Sequence, residues 1–379
     1  MLGDFNMETP ASKKFALKLG TGFQHAKVDN STGSRYIKNT VGQMIDHVYY
    51  AGLNSRPNWC TANRYLDLIA DGPVYDKSKN LSTEKHEKLK VWTNHFDDLA
   101  KDTTGSRRTT DKWENLISND CDYFPECDSS IQWTEISDEL RDTPNNKAPG
   151  VDGVLSEVWK LVMTATSPTS PLAKLIHKII NIMYDTGDIP KCLETSVVVP
   201  VPKKGDLKDP DNYRGLFLIP TLVKLVAKIV ATKLSKIDAK YNILVKEQAG
   251  FRNFEECAGQ ATTLYEIVRR RKILNKETWL CYIDYSKAYD RVPHMALLHK
   301  LRSVVIGGKL LNMIKGMYDA PKIVVRAGNK VTYPSEYLCG VHHGCPVSPI
   351  LFDFYINDLF KSVRGVRVPE LTSRIPGLL

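Results

Sequence analysis

Two neighbouring stretches limit what this chain can become. In TLVKLVAKIVATKLSKI (221–237) Val223, Leu225, Val226, Ile229, Val230 and Leu234 recur at helical spacing, with Lys224, Lys228 and Lys236 off that side. Such a helix is stable only when its apolar side is buried against another layer. Just upstream, TSVVVPVPKK (195–204) is a β-branched run that can supply that layer. Pro200 and Pro202 cannot donate to a ladder, which predicts a strand at a sheet edge or one that runs out there. The alternation continues along the chain. SPLAKLIHKIINIMYDTGDIP is an amphipathic helix stopped by Gly187 and Pro190. TEISDELRD, QATTLYEIVRRRKILN and HMALLHKLRSV read as further helices, TWLCYID (278–284) as a strand buried on both faces, and KIVVRAGN with VTYPSEYLCG as a hairpin. SPILFDFYINDLFKSV starts a last helix, with Ser348 as N-cap and Pro349 in the first turn. Helices interleaved with short strands predict an α+β or α/β sheet domain, not a bundle.

That dense pattern begins near residue 131. Residues 1–56 mix short apolar stretches with turn residues, and 57–130 are polar and mostly helical in pattern. There STEKHEKLKVWTNHFDDLAKD opens at Ser82 and places Leu89, Trp92, Phe96 and Leu99 on one face. DTTGSRRTTDKW reads as an exposed linker. No apolar run approaches the roughly 18–20 residues of a membrane span, and MLGDFNMETP has no secretory pattern. The eight cysteines are scattered without a framework, which suits reduced thiols inside a cell. Cys121 and Cys127 are half of a zinc set at most, since no CxxC or His cluster completes one. The net charge of +9 divides into −3 for residues 1–150 and +12 for 151–379. A basic second part suits a polyanion, nucleic acid first, though charge alone is equally a solubility device.

Individually, the chemistry-bearing residues admit plain readings beside functional ones. Asp284 at the end of TWLCYID can cap the next turn or ligate a metal. Asp290 suits a structural role, bonding backbone N–H groups as the next helix begins, and Tyr289 suits a core aromatic. Lys203, Lys204 and Arg214 can clamp a phosphate chain, Arg through its fork and Lys as a point charge, or form a solvated basic face. HHGCPVSP brings backbone N–H groups and Gly344 into a loop that turns into a helix.

Order and spacing say more. NNKAPGVDGVLSEVWK, VVVPVPKKGDLKDPDNYRGLFLIP, QAGFRNFEECAGQ, YIDYSKAYDRVPH and GVHHGCPVSPILFDFYINDLF resemble, in this order, the successive blocks of a LINE-type (non-LTR) retrotransposon reverse transcriptase. The resemblance covers residues 131–379 and implies fingers and a partial palm. It makes Asp284 the first catalytic aspartate and a ligand of two Mg²⁺ ions, which need several carboxylate oxygens to hold them. Tyr289 matches the aromatic steric gate under the sugar. Lys203, Lys204 and Arg214 match fingers residues that neutralise the triphosphate, and His343 and Gly344 lie in the block lining the nucleotide pocket with Cys345 and Pro346. Lys147, Gly150, Asp152 and Gly153 match the template-side block.

This sequence departs from the family in three places. His342-His343 replaces the usual Arg-Gln or a close variant before Gly-Cys, and Phe217 stands where a small hydroxyl residue is commoner. The F/Y-A-D-D hairpin with the other two metal-binding aspartates does not occur, although VRGVRVPELTSRIPGLL resembles the approach to it. Asp353 and Asp358 on the last helix cannot replace them by sequence order. At the other end LGDFN, with Asp4 and Asn6, and MIDHVYY, with Asp46, resemble strands of the exonuclease/endonuclease/phosphatase fold.

These observations predict an α+β chain: a remnant of an α/β endonuclease domain (1–56), a helical linker (57–130), then reverse-transcriptase fingers and partial palm (131–379). The resemblance implies an RNA-directed DNA polymerase that uses Mg²⁺, an RNA template, a DNA primer or target and deoxynucleoside triphosphates, in the nucleus or cytoplasm and with no membrane. One aspartate for two cations predicts a catalytically incomplete fragment. The alternatives are a non-catalytic nucleic-acid-binding remnant and an endonuclease.

Overall fold

The computed structural model describes residues 72–101, 122–252, 258–319, 321–328 and 330–359 in full, and residue 257 by its backbone. It also describes the backbone of the short strands Leu2–Asp4, Gln24–His25, Tyr36–Ile37, Thr40–Val41, Asp46–Tyr50, Val366–Arg367 and Arg374–Ile375. Two compact units result. The first comprises Met1–Lys88, Val201–Arg214 and Ala327–Asn329; the second comprises Leu89–Pro200, Gly215–Arg326 and Lys330–Leu379.

The second unit is helices laid on a mixed sheet. Strands β1 (Thr195–Pro202), β2 (Tyr213–Leu218), β3 (Lys322–Ala327), β4 (Lys330–Val331) and β5 (Ser335–Glu336) build it, in the order β4-β3-β1-β2, with β5 also on β3. The β1 strand is central, not at an edge. Its parallel register with β3 runs from Thr195↔Lys322 to Val198↔Val325. Pro200 and Pro202 lie beyond that ladder, so no missing N–H breaks it. The hairpin expected from KIVVRAGN and VTYPSEYLCG forms, with β5 antiparallel to β3.

Of the helices α1 (Lys85–Ala100), α2 (Trp133–Arg141), α3 (Pro171–Thr186), α4 (Thr221–Tyr241), α5 (Cys257–Ile273), α6 (His294–Ser303), α7 (Gly308–Tyr318) and α8 (Ser348–Ile356), α4 is the core element. All six of its predicted apolar residues are buried. At roughly 1.5–3 kcal/mol per fully buried aliphatic side chain this face is a main source of the unit's stability. Helix α3 starts with Ser170 accepting from the Ala173 N–H and stops at Gly187, whose φ of 76° is the left-handed cap that glycine allows. Helix α7 does not figure among the expected helices. Glycines flank its start, and Leu310, Met313, Ile314 and Met317 form its buried stripe.

Three expectations are corrected. Residues 278–284 form no strand, and instead of being buried, Trp279 is 90% and Tyr282 78% exposed. A strand needs a neighbouring ladder to satisfy its N–H and C=O groups. Among the described residues no strand pairs with this run. Ser348 is the first helical residue and not the N-cap, which is Val347; Ser348 is wholly buried. Helix α1 begins at Lys85, because Ser82 is taken up by a short strand paired with Val74–Tyr75.

Candidate functional site

The two blocks YDRVPH and CGVHHG lie 50 residues apart in sequence, and the backbone knits them together. The Val341 N–H donates to the Tyr289 carbonyl (2.8 Å) and the Gly340 N–H to that of Val292 (2.8 Å). Pro293 and Cys339 form an antiparallel bridge, and the buried His294 Nε2–H donates to the Gly340 carbonyl at 2.8 Å. Gly340 has φ 103°, and a Cβ there would lie 2.2 Å from the Tyr337 hydroxyl, so only glycine fits this crossing.

The knit sets Tyr289 against His343. Their rings stack with centroids 5.0 Å apart, and the Phe352 ring lies 5.0 Å from Tyr289 on another side. The Asp290 carboxylate lies 3.5 Å from His343 Nδ1, within the short helical turn Tyr289–Arg291 that precedes α6. Gly344 follows at φ 93°, and the Phe217 N–H donates to the His343 carbonyl at 3.0 Å. The preceding His342 is buried between the Tyr318 and Tyr337 rings, with Phe217 4.8 Å away. Burial pushes its imidazole down to about 3, so it is neutral at physiological pH. Burial likewise raises the Tyr289 phenol and the Cys345 thiol. Cys345 is therefore a packed apolar group and not a nucleophile.

Asp284 stands apart from this cluster. It is exposed, at the end of the unpaired apolar run and before the 286–288 turn. No group of three His, Cys, Asp or Glu residues among the described residues is placed to hold a metal. A site for two hard cations needs several carboxylate oxygens, and Asp284 alone does not fit one. Asp353 is buried on α8, held by the Gln248 amide (2.8 Å), and Asp358 pairs with Lys300. Neither is presented to Asp284 as a ligand.

On the template-side segment, Gly150 packs so tightly that a Cβ would lie 2.5 Å from the Pro220 nitrogen. Gly153 adopts φ 66° and its N–H donates to the Gly150 carbonyl (3.2 Å). The Val154 N–H donates to Asp152 at 3.4 Å, the Thr221 hydroxyl to the Val154 carbonyl at 3.0 Å, and Lys147 is exposed. Tight backbone seating against the start of α4 thus holds this loop.

The first unit carries Lys203, Lys204 and Arg214, all exposed around one turn. The Lys203 N–H donates to the Asn212 carbonyl at 2.6 Å, and Gly205 at φ 124° makes the turn beside the Asn212 side chain. The short Val74–Tyr75 strand docks on it through Tyr75 N–H to Lys208 C=O (2.8 Å), with Lys79 paired to Asp209 at 3.2 Å. Leu2–Asp4 and Asp46–Tyr50 pair antiparallel, with Asp4 in register opposite Asp46. Asn6 and Cys121 lie outside the described residues.

Sequence reasoning named Tyr289, Asp290 and His343 but not how they pair, and it gave Gln248 no role. His343 on Tyr289, Asp290 at the imidazole and Gln248 on Asp353 are all long-range pairs, and only the unusual His-His before Gly-Cys marked one of them.

Residues 201–371 match the family model described as reverse transcriptase (RNA-dependent DNA polymerase). The chain is 23% identical over 306 residues to the probable RNA-directed DNA polymerase from transposon BS of Drosophila melanogaster, covering 79% of this chain and 32% of that protein. It is 26% identical over 229 residues to the RNA-directed DNA polymerase from mobile element jockey of Drosophila funebris, covering 59% and 24%. The transposon TX1 uncharacterized 149 kDa protein of Xenopus laevis is 25% identical over 252 residues, covering 65% and 19%. The chain therefore spans between a fifth and a third of the length of these relatives.

Proposed function

We propose, from the match of residues 201–371 to the reverse-transcriptase family model and from relatives of the non-LTR retrotransposon kind, that the chain supplies fingers and part of the palm of an RNA-directed DNA polymerase. The observation that carries the reading is the knit of residues 289–294 with 339–343, which stacks His343 on Tyr289. Tyr289 then serves as the ring beneath the sugar of an incoming deoxynucleoside triphosphate, selecting against a 2′-hydroxyl, with His343 and the backbone at Gly344 lining the same pocket. Lys203, Lys204 and Arg214 supply positive charge for the triphosphate, Arg through its planar fork. Lys147, Gly150, Asp152 and Gly153 face the RNA template. Asp284 matches one of the family's Mg²⁺ ligands, but alone among the described residues it does not make a site that would hold the ion.

Without the companion carboxylates these 379 residues bind nucleic acid and do not extend a primer. Losing essential metal ligands costs several kcal/mol of transition-state stabilisation. Primer extension on an RNA template with Mg²⁺ tests this. The expected result is salt-dependent binding of the primer–template without extension; extension abolished by Asp284→Ala would overturn it.

The second reading, a non-catalytic nucleic-acid-binding remnant, has its own support. Helix α5 ends in Arg269, Arg270, Arg271 and Lys272, and the Arg271 guanidinium donates to the Thr278 hydroxyl at 3.0 Å. That bond ties a basic helix end to Thr278, next in sequence to the exposed Trp279, with the exposed Tyr282 and Tyr285 following. Cations beside exposed rings suit single strands, whose bases stack without sequence preference. Under this reading Asp284→Ala leaves binding unchanged and Trp279→Ala weakens it. The remnant endonuclease strands, with Asp4 and Asp46 in register, are tested by nicking of supercoiled DNA with and without Asp4→Ala.

A further inference from the structure

One block remains without a role in the proposed site: QAGFR, residues 248–252. The structure shows what it holds. The Arg252 guanidinium reaches Asp238 at 3.3 Å and the Val245 carbonyl at 3.2 Å, while Asp238 accepts from the Leu244 N–H at 2.8 Å. Asn357 accepts from the Val245 N–H (2.8 Å) and donates to the Ile243 carbonyl (3.0 Å), so the loop after α4 is clamped to the end of α8. Inside the clamp the Gln248 amide donates to Asp353 Oδ1 at 2.8 Å.

Asp353 is 1% exposed, and its neighbour Phe352 lies against the Tyr289 ring. Three oxygens in this region are buried without a hydrogen-bond partner: Asp353 Oδ2, Gln248 Oε1 and the Tyr289 hydroxyl. Leaving each orphaned costs roughly 1–3 kcal/mol, and polar groups in a dry interior normally form networks. A carboxylate would be costly here, and burial accordingly pushes the Asp353 carboxyl up to about 8, against the opposing pull of Arg252 and with a smaller push from Asp238. It therefore carries a proton at neutral pH and can donate as well as accept. Burial raises the Tyr289 phenol most, and negative charge on Asp353 raises it further.

The geometry points to Asp353 as a positioning residue for Tyr289: with Gln248 behind it, its carboxyl holds the Tyr289 hydroxyl through one bridging water, and so fixes the ring that faces the sugar. The functional half of this rests on Tyr289 being the sugar gate; the hydrogen-bond half stands without it. The network links QAGFR to the nucleotide pocket through a single buried side chain. Phe352 and His343 restrain the ring by stacking, and the hydroxyl restrains its rotation. Any change at the loop after α4 is thereby transmitted to the gate.

The test is ¹³C NMR on the 379-residue chain carrying tyrosine labelled with ¹³C at Cζ, whose phenol keeps its ordinary acidity, with the Tyr289 resonance assigned by its loss in Tyr289→Phe. In the unsubstituted chain that resonance is expected to shift with pH through a midpoint near 8, as the Asp353 proton leaves. Asp353→Asn is expected to move the Tyr289 resonance and abolish the pH-dependent shift while leaving the other tyrosine signals in place. A Tyr289 resonance that neither follows pH between 6.5 and 9 nor responds to Asp353→Asn would overturn the proposal. Once the resonance is assigned, the pH series is read on the unsubstituted chain and stands even if Asp353→Asn misfolds. Titration with a deoxynucleoside triphosphate and its ribonucleotide, in a separate arm, reads the gate. Equal response to both sinks the sugar-gate reading while leaving the Asp353–Tyr289 bond to be judged by the pH series.

Discussion

Asp353 and His342 are buried in opposite protonation dilemmas, and their sum gives the second unit a distinctive stability profile. The folded Asp353 keeps its proton up to about pH 8, whereas the unfolded carboxyl loses it near 3.8. The folded His342 stays neutral down to about pH 3, whereas the unfolded imidazole gains a proton near 6.5. Stability rises with pH wherever the unfolded chain binds more protons and falls wherever it binds fewer. Between about pH 4 and 6.5 the unfolded chain has one proton more at His342 and one fewer at Asp353, so the two slopes cancel. Above 6.5 the Asp353 slope is no longer offset by His342, and its contribution falls at up to about 1.4 kcal/mol per pH unit. From pH 6.5 to 8.0 that is a loss of about 2 kcal/mol, trimmed to about 1–2 by relaxation around the new charge. Urea unfolding followed by helix circular dichroism at pH 5.5, 6.5 and 8.0 reads it directly. The unsubstituted chain is expected to be level between the first two and to weaken at the third, and Asp353→Asn to be level throughout. An Asp353→Asn protein that still loses 1–2 kcal/mol between pH 6.5 and 8.0 would refute the assignment of that slope to Asp353.

Other perturbations read other parts of the molecule. Gly150→Ala forces a Cβ to within 2.5 Å of the Pro220 backbone. It is expected to cost about 1–3 kcal/mol in urea unfolding, as overpacking does. Leu234→Ala on the buried face of α4 is expected to cost about 2–5 kcal/mol in the same assay. Replacing Lys203 and Arg214 by alanine is expected to weaken primer–template binding and to lower the slope of log affinity against log salt by about 1 for each phosphate contact removed. The pair Trp279→Ser and Tyr282→Ser removes two of the most exposed aromatic rings. It is expected to reduce self-association in light scattering while changing unfolding free energy by less than about 0.5 kcal/mol.

The sequence made the α4 helix plain, because six apolar residues at helical spacing leave one burial mode open and the structure uses it. The hairpin around Gly328 was equally legible, since its two short runs need only local pairing. Residues 278–284 were not, although their composition is that of a buried strand. Strand state depends on a partner ladder, and a pattern of side chains cannot show whether that partner lies alongside. Helix α7 was passed over because Gly307, Gly308 and Gly316 weaken its propensity, while its apolar stripe lies buried. At the site, the blocks and their order placed Tyr289, His343 and Gly344 in one neighbourhood, and the backbone joins them there. What the sequence could not show is why α8 buries an acid. Asp353 becomes intelligible only once Gln248, far away in the chain, is seen donating to it.

The central claim is that residues 289–294 and 339–344 together form a deoxynucleoside triphosphate pocket. Photo-crosslinking of a radiolabelled deoxynucleoside triphosphate to the 379-residue chain with Mg²⁺, followed by peptide mapping, tests it most directly. The account predicts label on peptides containing Tyr289 or His343, competed by unlabelled deoxynucleotide more strongly than by ribonucleotide. Label confined to other segments, or equal competition by both nucleotides, would contradict it.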